Sequence, residues 1–320
     1  MKRAKPAQPS GRSGTKTGQS KLSHLSTEQA NPASGELDLK SSLAIARIIN
    51  AEDAKIAGAV KRALPQIARA IDLIATALKK GGRLIYVGAG TSGRIAALDA
   101  AECPPTFNTS PKMVQFVMAG GARALGAAVE ANEDSRKSGE REMAKNNPGK
   151  NDIVVGIAAS GRTPFTVAAV EYARRLGATT VAITCNRRSV FEKAAHSAIV
   201  VEVGPEVVSG SSRMKAGTAQ KMVLNMLSTG AMTRLGYIYG NLMVNVHLKN
   251  EKLLERGITI LQRAAGIDQA PAQDALKAAG NNVAVALVMI EANVDRAAAK
   301  RALADSGGHV RQAVAAAKSL

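Results

Sequence analysis

Aromatic side chains are scarce in this chain of 320 residues, where they make up 2% of the total and tryptophan is absent. Proteins that stack bases or sugar rings on exposed aromatic side chains need more of them, so those two kinds of binding site are not expected. Two cysteines are too few for a disulfide scaffold, and the four histidines are scattered without metal-ligand spacing. No metal site is therefore predicted.

Acidic residues are in the minority, with 25 against 43 lysines and arginines, for a formal net charge of +18. Residues 1–21 hold six of the basic residues and no acid. This segment is rich in Ser, Gly, Pro and Lys and has no apolar run, so it is predicted to be a disordered basic tail rather than a secretory signal. A nucleic-acid-binding arm is the alternative, but nucleic acid is not expected as a partner. No run of about 18 apolar residues occurs, so no membrane span is expected and the location is predicted to be cytoplasmic.

Short apolar runs rich in β-branched residues alternate with helical patterns from residue 83 onwards. Such runs are typical of strands covered on both faces, and their alternation with helices predicts an α/β fold with a five-stranded parallel, doubly wound sheet. Helical patterning precedes the sheet and is divided or kinked at Pro65. We predict an α/β domain with an N-terminal helical arm over residues 22–248 and a small helical bundle over 249–320. The strands are predicted at 84–87, 114–118, 153–157, 180–184 and 199–203.

Three turns rich in Ser, Thr and Gly open predicted helices. Residues 88–94 (GAGTSGR) follow the first strand, residues 159–163 (ASGRT) follow the third, and residues 209–218 (SGSSRMKAGT) precede a later helix. Free amides at a helix N-terminus bind anions, and neighbouring hydroxyls add donors. Each turn alone is equally compatible with simple helix capping. Three in one domain predict a phosphorylated ligand.

The first turn also matches the G-x-G-x-x-G pattern of dinucleotide-binding loops. Two features disfavour a dinucleotide. The centre of the turn carries the hydroxyls of Thr91 and Ser92, and no acidic residue stands at the end of the second predicted strand, where residues 118–121 read MAGG.

Glu102 is the first candidate catalytic carboxylate. It is predicted to lie at the end of the helix that the first turn opens, because Pro104 and Pro105 follow. A carboxylate at a helix C-terminus opposes the helix dipole, which suits it to hold a proton and donate it. Cys103 beside it has no histidine near it in sequence and is predicted to be a buried filler rather than a nucleophile.

A second acidic position follows in the segment AVEANEDS. Glu130 and Glu133 lie three residues apart and would share one face of a helix predicted over residues 122–132 and its end. For these acids, and for Glu102, the alternative to a catalytic role is a solvated surface charge.

The strings that hold these residues closely resemble N-acetylmuramic acid 6-phosphate etherases, a bacterial branch of the sugar isomerase (SIS) domain superfamily. GAGTSGR followed by DAAECPPTF, and GSSRMKAGTAQK, are long and specific, and the resemblance covers about residues 22–305. It implies a lyase that releases D-lactate from N-acetylmuramic acid 6-phosphate during recycling of cell-wall sugars, with no metal or redox cofactor. Glu102 then takes the proton-donor position and Glu133 the second catalytic position, as the base at C2; the two roles are easily reversed.

The resemblance implies further features of the site. It implies a homodimer with sites completed across subunits and a C-terminal bundle of the ubiquitin-associated type. Apart from the resemblance, we infer from their positive charge that Arg213 or Lys215 meets the lactyl carboxylate. A non-catalytic sugar-phosphate sensor of the same superfamily, and an aldose–ketose isomerase, are the alternative functions. The residues expected to bind the phosphate are Thr91, Ser92, Ser160 and Thr163, with Ser211, Ser212, Lys215 and Thr218 as further substrate-binding candidates.

Overall fold

The computed structural model describes residues 25–127, 129, 132–246, 248 and 250–319. The predicted tail at residues 1–21 and Glu130 lie outside the described residues. Five parallel strands form one sheet in the order β2-β1-β3-β4-β5, which confirms the predicted α/β fold. The strands are β1 (Leu84–Gly88), β2 (Val114–Met118), β3 (Ile153–Ile157), β4 (Thr179–Thr184) and β5 (Ser197–Val200).

Helices surround the sheet, and short 3-10 helices precede it at Ser26–Glu28, Pro32–Ser34 and Leu37–Leu39. Pro65 lies in the first turn of a helix, where proline is tolerated, so it divides two helices rather than kinking one. The helices are α1 (Ser42–Asp53), α2 (Ile56–Arg62), α3 (Leu64–Lys79), α4 (Gly90–Phe107), α5 (Arg136–Ala144), α6 (Pro164–Arg175), α7 (Val190–Ala194), α8 (Lys215–Arg234), α9 (Glu251–Ala265), α10 (Gln269–Ala278), α11 (Val283–Ala292), α12 (Arg296–Asp305) and α13 (Val310–Lys318).

The central strands are buried along their whole length because helices cover both faces of the sheet. Side chains from α3, α4 and α8, including Ile67 and Leu224, form the core on one face. Met143, Phe165 and Phe191 from α5, α6 and α7 form the core on the other. Continuous apolar runs in the sequence therefore correspond to strands without a solvent-facing side.

The strand order places β1 and β3 side by side although β2 lies between them in the chain. Chain connections leave the sheet in opposite directions at such a switch point and open a crevice beyond the carboxyl ends of the strands. The first and second Ser/Thr/Gly turns follow β1 and β3, so the topology brings both turns to that crevice.

Two helix predictions are wrong in detail. The helix α4 does not end at Pro104 and Pro105 but continues through both to Phe107. Asn108 ends it in the left-handed region at φ 57°, donating its N–H to the Pro104 carbonyl at 2.9 Å. The predicted helix over 122–132 is replaced, in its described part, by a 3-10 helix at Gly121–Leu125 and a turn.

The fifth strand also begins and ends earlier than the predicted 199–203. Its pairing with β4 stops where Thr184, the last residue of β4, lies opposite Val200. Beyond that point the chain has no neighbouring strand to bond, so Val201 makes a single backbone bond to Thr184 and leaves the sheet.

The C-terminal helices α9–α13 pack around a core of their own, separate from the two sheet cores, with Leu261, Leu276 and Leu287 at its centre. Val244 and Val246, which precede α9, already belong to this core. Among the described residues no single helix is long and apolar enough to cross a membrane, and α10 and α11, bent by 112° to each other, meet that test only as a pair.

Candidate active site

The first turn brings a carboxylate to the start of α4. The backbone enters the left-handed region at Gly90, with φ +52°. A Cβ placed on Gly90 would lie 3.1 Å from Oε1 of Glu133, so the carboxylate rests directly against the first residue of the helix. A glycine at this position provides both the backbone conformation and the space for that contact.

Glu133 also ties the first turn to the second. Its main-chain oxygen accepts a hydrogen bond from the N–H of Phe165, at 3.0 Å, in the first turn of α6. The residue is half-buried. Its side chain lies at the N-terminus of α4 and its backbone at the N-terminus of α6, and the amide-rich ends of both helices favour negative charge.

The two hydroxyls of the first turn differ in their surroundings. Ser92 is 8% exposed, and its Oγ donates to Oε1 of Gln220 on α8 at 2.9 Å. Thr91 is half-buried, and its methyl group would lie 3.4 Å from a Cβ on Gly217. Gln220 was not singled out from the sequence, although it lies in the specific string AGTAQK. Within the described part of the chain its Nε2 has no hydrogen-bond partner.

The second turn places Ser160 and Thr163 at the end of β3, both half-buried. Ser160 Oγ accepts the N–H of Arg162 at 3.2 Å. Thr163 occupies the N-cap position of α6, but its side chain makes no capping bond. Because Pro164 has no N–H and the Phe165 amide is bonded to Glu133, the second turn presents mainly the hydroxyls of Ser160 and Thr163 beside the first turn.

Lys215, a substrate-binding candidate from the third turn, is held elsewhere. The residue is 1% exposed, and its Nζ lies 2.5 Å from Oε2 of Glu52, the penultimate residue of α1. Asn31 Nδ2 donates to the same oxygen at 2.9 Å, and Lys55 pairs with the other. Burial alone raises the pKa of Glu52, but the hydrogen bonds from Lys215, Lys55 and Asn31 outweigh it and bring this pKa to about 2.

The N-terminus of α8 is likewise occupied from within the protein. The amides of Lys215 and Ala216 donate to the two carboxylate oxygens of buried Glu206, each at 2.9 Å. Burial raises the pKa of Glu206, although these two amides oppose the shift. In the third turn, a carboxylate of the protein therefore takes the helix-terminal amides. Its remaining candidates are half-buried or exposed: Ser211, Ser212 and Thr218.

Residues from the N-terminal segment cover the second turn. Buried Asn186, just after β4, accepts from the N–H of Ser26 at 2.9 Å and donates to Thr27 Oγ1 at 3.2 Å and to the Ala159 carbonyl at 3.0 Å. The contacts of Asn186 with Ser26 and Thr27 join positions about 160 residues apart, which the sequence pattern does not reveal.

Glu102 lies away from Glu133 and from the first two turns. It is exposed on α4 and lines a small cavity of about 130 Å³ together with Thr106, Lys221 and Asn225. Gly90 and Glu102 belong to one continuous helix, and their spacing corresponds to about 18 Å at 1.5 Å per residue. One chain therefore brings Glu133 to the first and second turns but does not bring Glu102 there.

A buried polar group underlies the Glu102 cavity. Asp99 accepts hydrogen bonds from the Tyr86 hydroxyl at 2.9 Å and the Ser228 hydroxyl at 3.1 Å. Burial raises the pKa of Asp99 despite these two bonds. Cys103 is buried beside it, and burial raises the pKa of its thiol to about 12, as suits a filler rather than a nucleophile.

No group of three or more His, Cys, Asp or Glu side chains that would hold a metal ion occurs among the described residues.

The sheet order and the paired turns at its switch point define an α/β sugar isomerase (SIS) domain. Family models agree: the SIS domain matches residues 130–230, and the glucokinase regulatory protein N-terminal SIS domain matches residues 66–174. N-acetylmuramic acid 6-phosphate etherase 2 of Vibrio parahaemolyticus serotype O3:K6 is 50% identical, over 92% of this chain and 98% of its own length. The chain belongs to the N-acetylmuramic acid 6-phosphate etherase family.

Other members are equally similar. The N-acetylmuramic acid 6-phosphate etherase of Escherichia coli O1:K1 / APEC is 51% identical over 92% of this chain and 98% of its own length. N-acetylmuramic acid 6-phosphate etherase 1 of Enterococcus faecalis is 48% identical over 93% and 99%. The family resemblance predicted from the sequence is therefore confirmed.

Proposed function

We propose that this protein is a carbon–oxygen lyase that cleaves the D-lactyl ether of N-acetylmuramic acid 6-phosphate, giving N-acetylglucosamine 6-phosphate and D-lactate. The names of relatives at about 50% identity support this activity. The observation that carries it in the structure is the Glu133 carboxylate against Gly90, at the mouth of two turns suited to a phosphate. A non-catalytic sensor is not favoured, because these relatives are named as etherases.

The phosphate is proposed to sit between the N-termini of α4 and α6. Thr91, Ser160 and Thr163 supply hydroxyls, and Ser92 lines the floor, where Gln220 orients it. Backbone amides at the N-terminus of α4 add donors that need no rearrangement on binding. In the third turn Arg213 is exposed, whereas Lys215 is paired with Glu52, so Arg213 is the better placed of the two to meet the lactyl carboxylate.

The chemistry needs two carboxyl groups at different atoms of the sugar. In the open-chain form the C1 aldehyde acidifies the hydrogen at C2, and Glu133 as carboxylate removes it. The C2 electron pair forms a C2–C3 double bond while the C3–O bond breaks, and Glu102 donates a proton to the departing lactate oxygen. Water then adds, its hydroxyl to C3 and a proton to C2, and both carboxyl groups return to their starting states.

Both groups must lie within a few ångströms of adjacent sugar carbons, which the separation of about 18 Å along α4 forbids within one chain. We therefore propose a homodimer in which each site takes Glu133 from one subunit and Glu102 from the other. Because a phosphorylated sugar acid does not cross membranes unaided, the cytoplasm is the proposed location, and no cofactor is required.

The test is release of D-lactate from N-acetylmuramic acid 6-phosphate by the purified full chain, measured with D-lactate dehydrogenase. Glu102→Gln and Glu133→Gln should each abolish it while circular dichroism stays unchanged. Lys112→Gln, an exposed change outside the site, is the matched control. Retained sugar-phosphate binding without lactate release by the wild type would favour the sensor.

Shared sites are tested by co-expressing the Glu102→Gln and Glu133→Gln chains with different tags and isolating the mixed dimer. One of its two sites holds both native carboxyl groups, so it should show about half of the wild-type activity per dimer. An inactive mixed dimer beside an active wild type would contradict the shared site while leaving the activity itself intact.

A further inference from the structure

An exposed helical arm, residues 37–53, projects its apolar side chains away from the rest of the chain. Leu39 and Leu43 are 77% and 59% exposed. Ile45, Ile48 and Ile49 share one face of α1 at helical spacing, yet each is only half-buried. Among the described elements, none packs on α1 beyond marginal contact. A helix with this composition is ordinarily covered, so one copy of the chain leaves the arm without its partner surface.

The arm is nevertheless held firmly at its root. Glu52, near the end of α1, is bonded to Lys215 at 2.5 Å and to Asn31 at 2.9 Å, and all three residues are buried. Lys215 is the first residue of α8 and lies within the third turn. The arm therefore starts beside the candidate active site and has a fixed direction, so little order is lost when it docks.

An apolar groove of about 480 Å³ lies elsewhere on the same chain, beside the end of α4 and the edge strand β2. Ala101, Pro104, Pro111 and Phe116 line it, and none of its described lining residues is charged. The groove residues Ala101 and Pro104 lie on a different side of α4 from the cavity that Glu102 lines, but at the same end of the helix, so a subunit that approaches this end comes close to both.

We propose that the arm of one protomer docks in this groove of a second copy of the chain, and that this exchange places Glu102 in the partner's site. The inference rests on the proposed sharing of sites between subunits. Glu102 of one copy must approach the turns of the other, where the other copy's arm begins. The groove adjoining Glu102 then comes within reach of that arm, and twofold symmetry repeats the contact.

The contact is large enough for a stable dimer. A 12-residue helix is about 18 Å long and about 10 Å across, so laying one side of it in a groove buries roughly 280 Å² of the arm and a similar area of the groove. Two symmetric contacts give about 1,100 Å², above the ~1,000 Å² expected of a specific interface.

The first test is the oligomeric state of the full chain, by sedimentation across a concentration series. Leu39→Glu/Leu43→Glu should raise the dimer dissociation constant at least ~100-fold, because both side chains would enter an uncharged groove. Pro111→Glu at the groove rim should do the same. Leu176→Glu, at an exposed leucine just after α6, is the matched control and should leave the dimer unchanged. A monomeric wild type, or an arm variant that dimerises like wild type, overturns the proposal.

The second test locates the docking surface. The described cysteines are both buried, so Leu43→Cys/Pro111→Cys should be joined into a covalent dimer by a short bismaleimide, whereas Leu176→Cys/Pro111→Cys should not. A wild-type dimer without that selective cross-link overturns the groove as the docking site. Neither readout uses substrate, so a dimer that releases no lactate would count against the proposed activity and not against the arm.

Discussion

Replacing Glu52 with glutamine should destabilise the protein more than any surface change, because it leaves the Lys215 ammonium buried without a counter-charge. The side chains of Lys215 and Glu52 are 2% and 4% exposed, and the two groups are 2.5 Å apart. Removing one partner of such a pair typically costs about 3–5 kcal/mol. Glu52→Gln/Lys215→Met removes both charges and should be more stable than Glu52→Gln alone, since no lone charge remains.

The destabilisation caused by Glu52→Gln should decrease at low pH. The pKa of Glu52 falls from 4.5 to about 2 on folding, which corresponds to about 3 kcal/mol. Because the folded-state pKa is the lower one, this stabilisation is complete above pH 4.5 and is lost as the pH falls towards 2. The stability difference between wild type and Glu52→Gln should therefore be constant from pH 5 to 7 and shrink below pH 4.5.

Urea unfolding followed by circular dichroism, with extrapolation to water at each pH, measures these differences. Lactate release by Glu52→Gln/Lys215→Met provides a second readout. A KM within about threefold of wild type would agree with a structural role for Lys215, since a lost charged contact to substrate costs far more. A Glu52→Gln variant within about 1 kcal/mol of wild type, or a double variant whose loss equals the sum of both single losses, would refute the reasoning.

Other predictions concern the site. Gly90→Ala should lower kcat at least ~10-fold, because the new Cβ would lie 3.1 Å from Glu133 Oε1 and the backbone φ of +52° is unfavourable for alanine. Gly35→Ala is the neutral control in the same kinetic assay, since a Cβ there meets nothing within 4 Å. A substrate analogue without the lactyl leaving group should exchange its C2 hydrogen for deuterium in D₂O, as followed by NMR. The Glu133→Gln variant should not catalyse this exchange, whereas the Glu102→Gln variant should. The reverse result would swap the two roles. Cys103 and Cys185, both buried with thiol pKa values of about 12, should react with a thiol reagent only after unfolding, and fast reaction of the native protein would contradict their burial. Specific activity should fall on dilution below the dimer dissociation constant, and a constant value in a range where sedimentation shows monomers would exclude a shared site.

Features that depend on local pattern were predictable from the sequence. The apolar runs that became β1 and β3 are covered on both faces, so their composition alone marks them as strands. The first two Ser/Thr/Gly turns follow strands that the switch in strand order makes neighbours, and their common location follows from topology. The resemblance of these strings to the etherase family then indicated a chemical role for the first two turns, which the strand pattern had already placed side by side.

Features that depend on long-range contacts were not predictable. The third turn has the same composition as the other two, yet Glu206 takes its helix-terminal amides and Glu52 takes Lys215. Glu52 is separated from Lys215 by 163 residues, and no local pattern shows that they meet. The passage of α4 through Pro104 and Pro105 likewise depends on the cap at Asn108, whereas proline alone predicts an end.

The length of α4 links the chemistry to the assembly. A straight helix is stiff, so the distance from Gly90 to Glu102 cannot close by side-chain motion, and the two carboxyl groups of one chain remain apart. Both groups act on neighbouring carbons of one sugar only if a second α4 approaches with its Glu102 end towards the first chain's turns. The end of α4 that carries Glu102 also borders an uncharged groove on another side of the helix, and the segment rooted near the third turn is an exposed apolar arm. The proposed reaction geometry and the surface chemistry of the arm and groove therefore favour the same partner, a second copy of this chain.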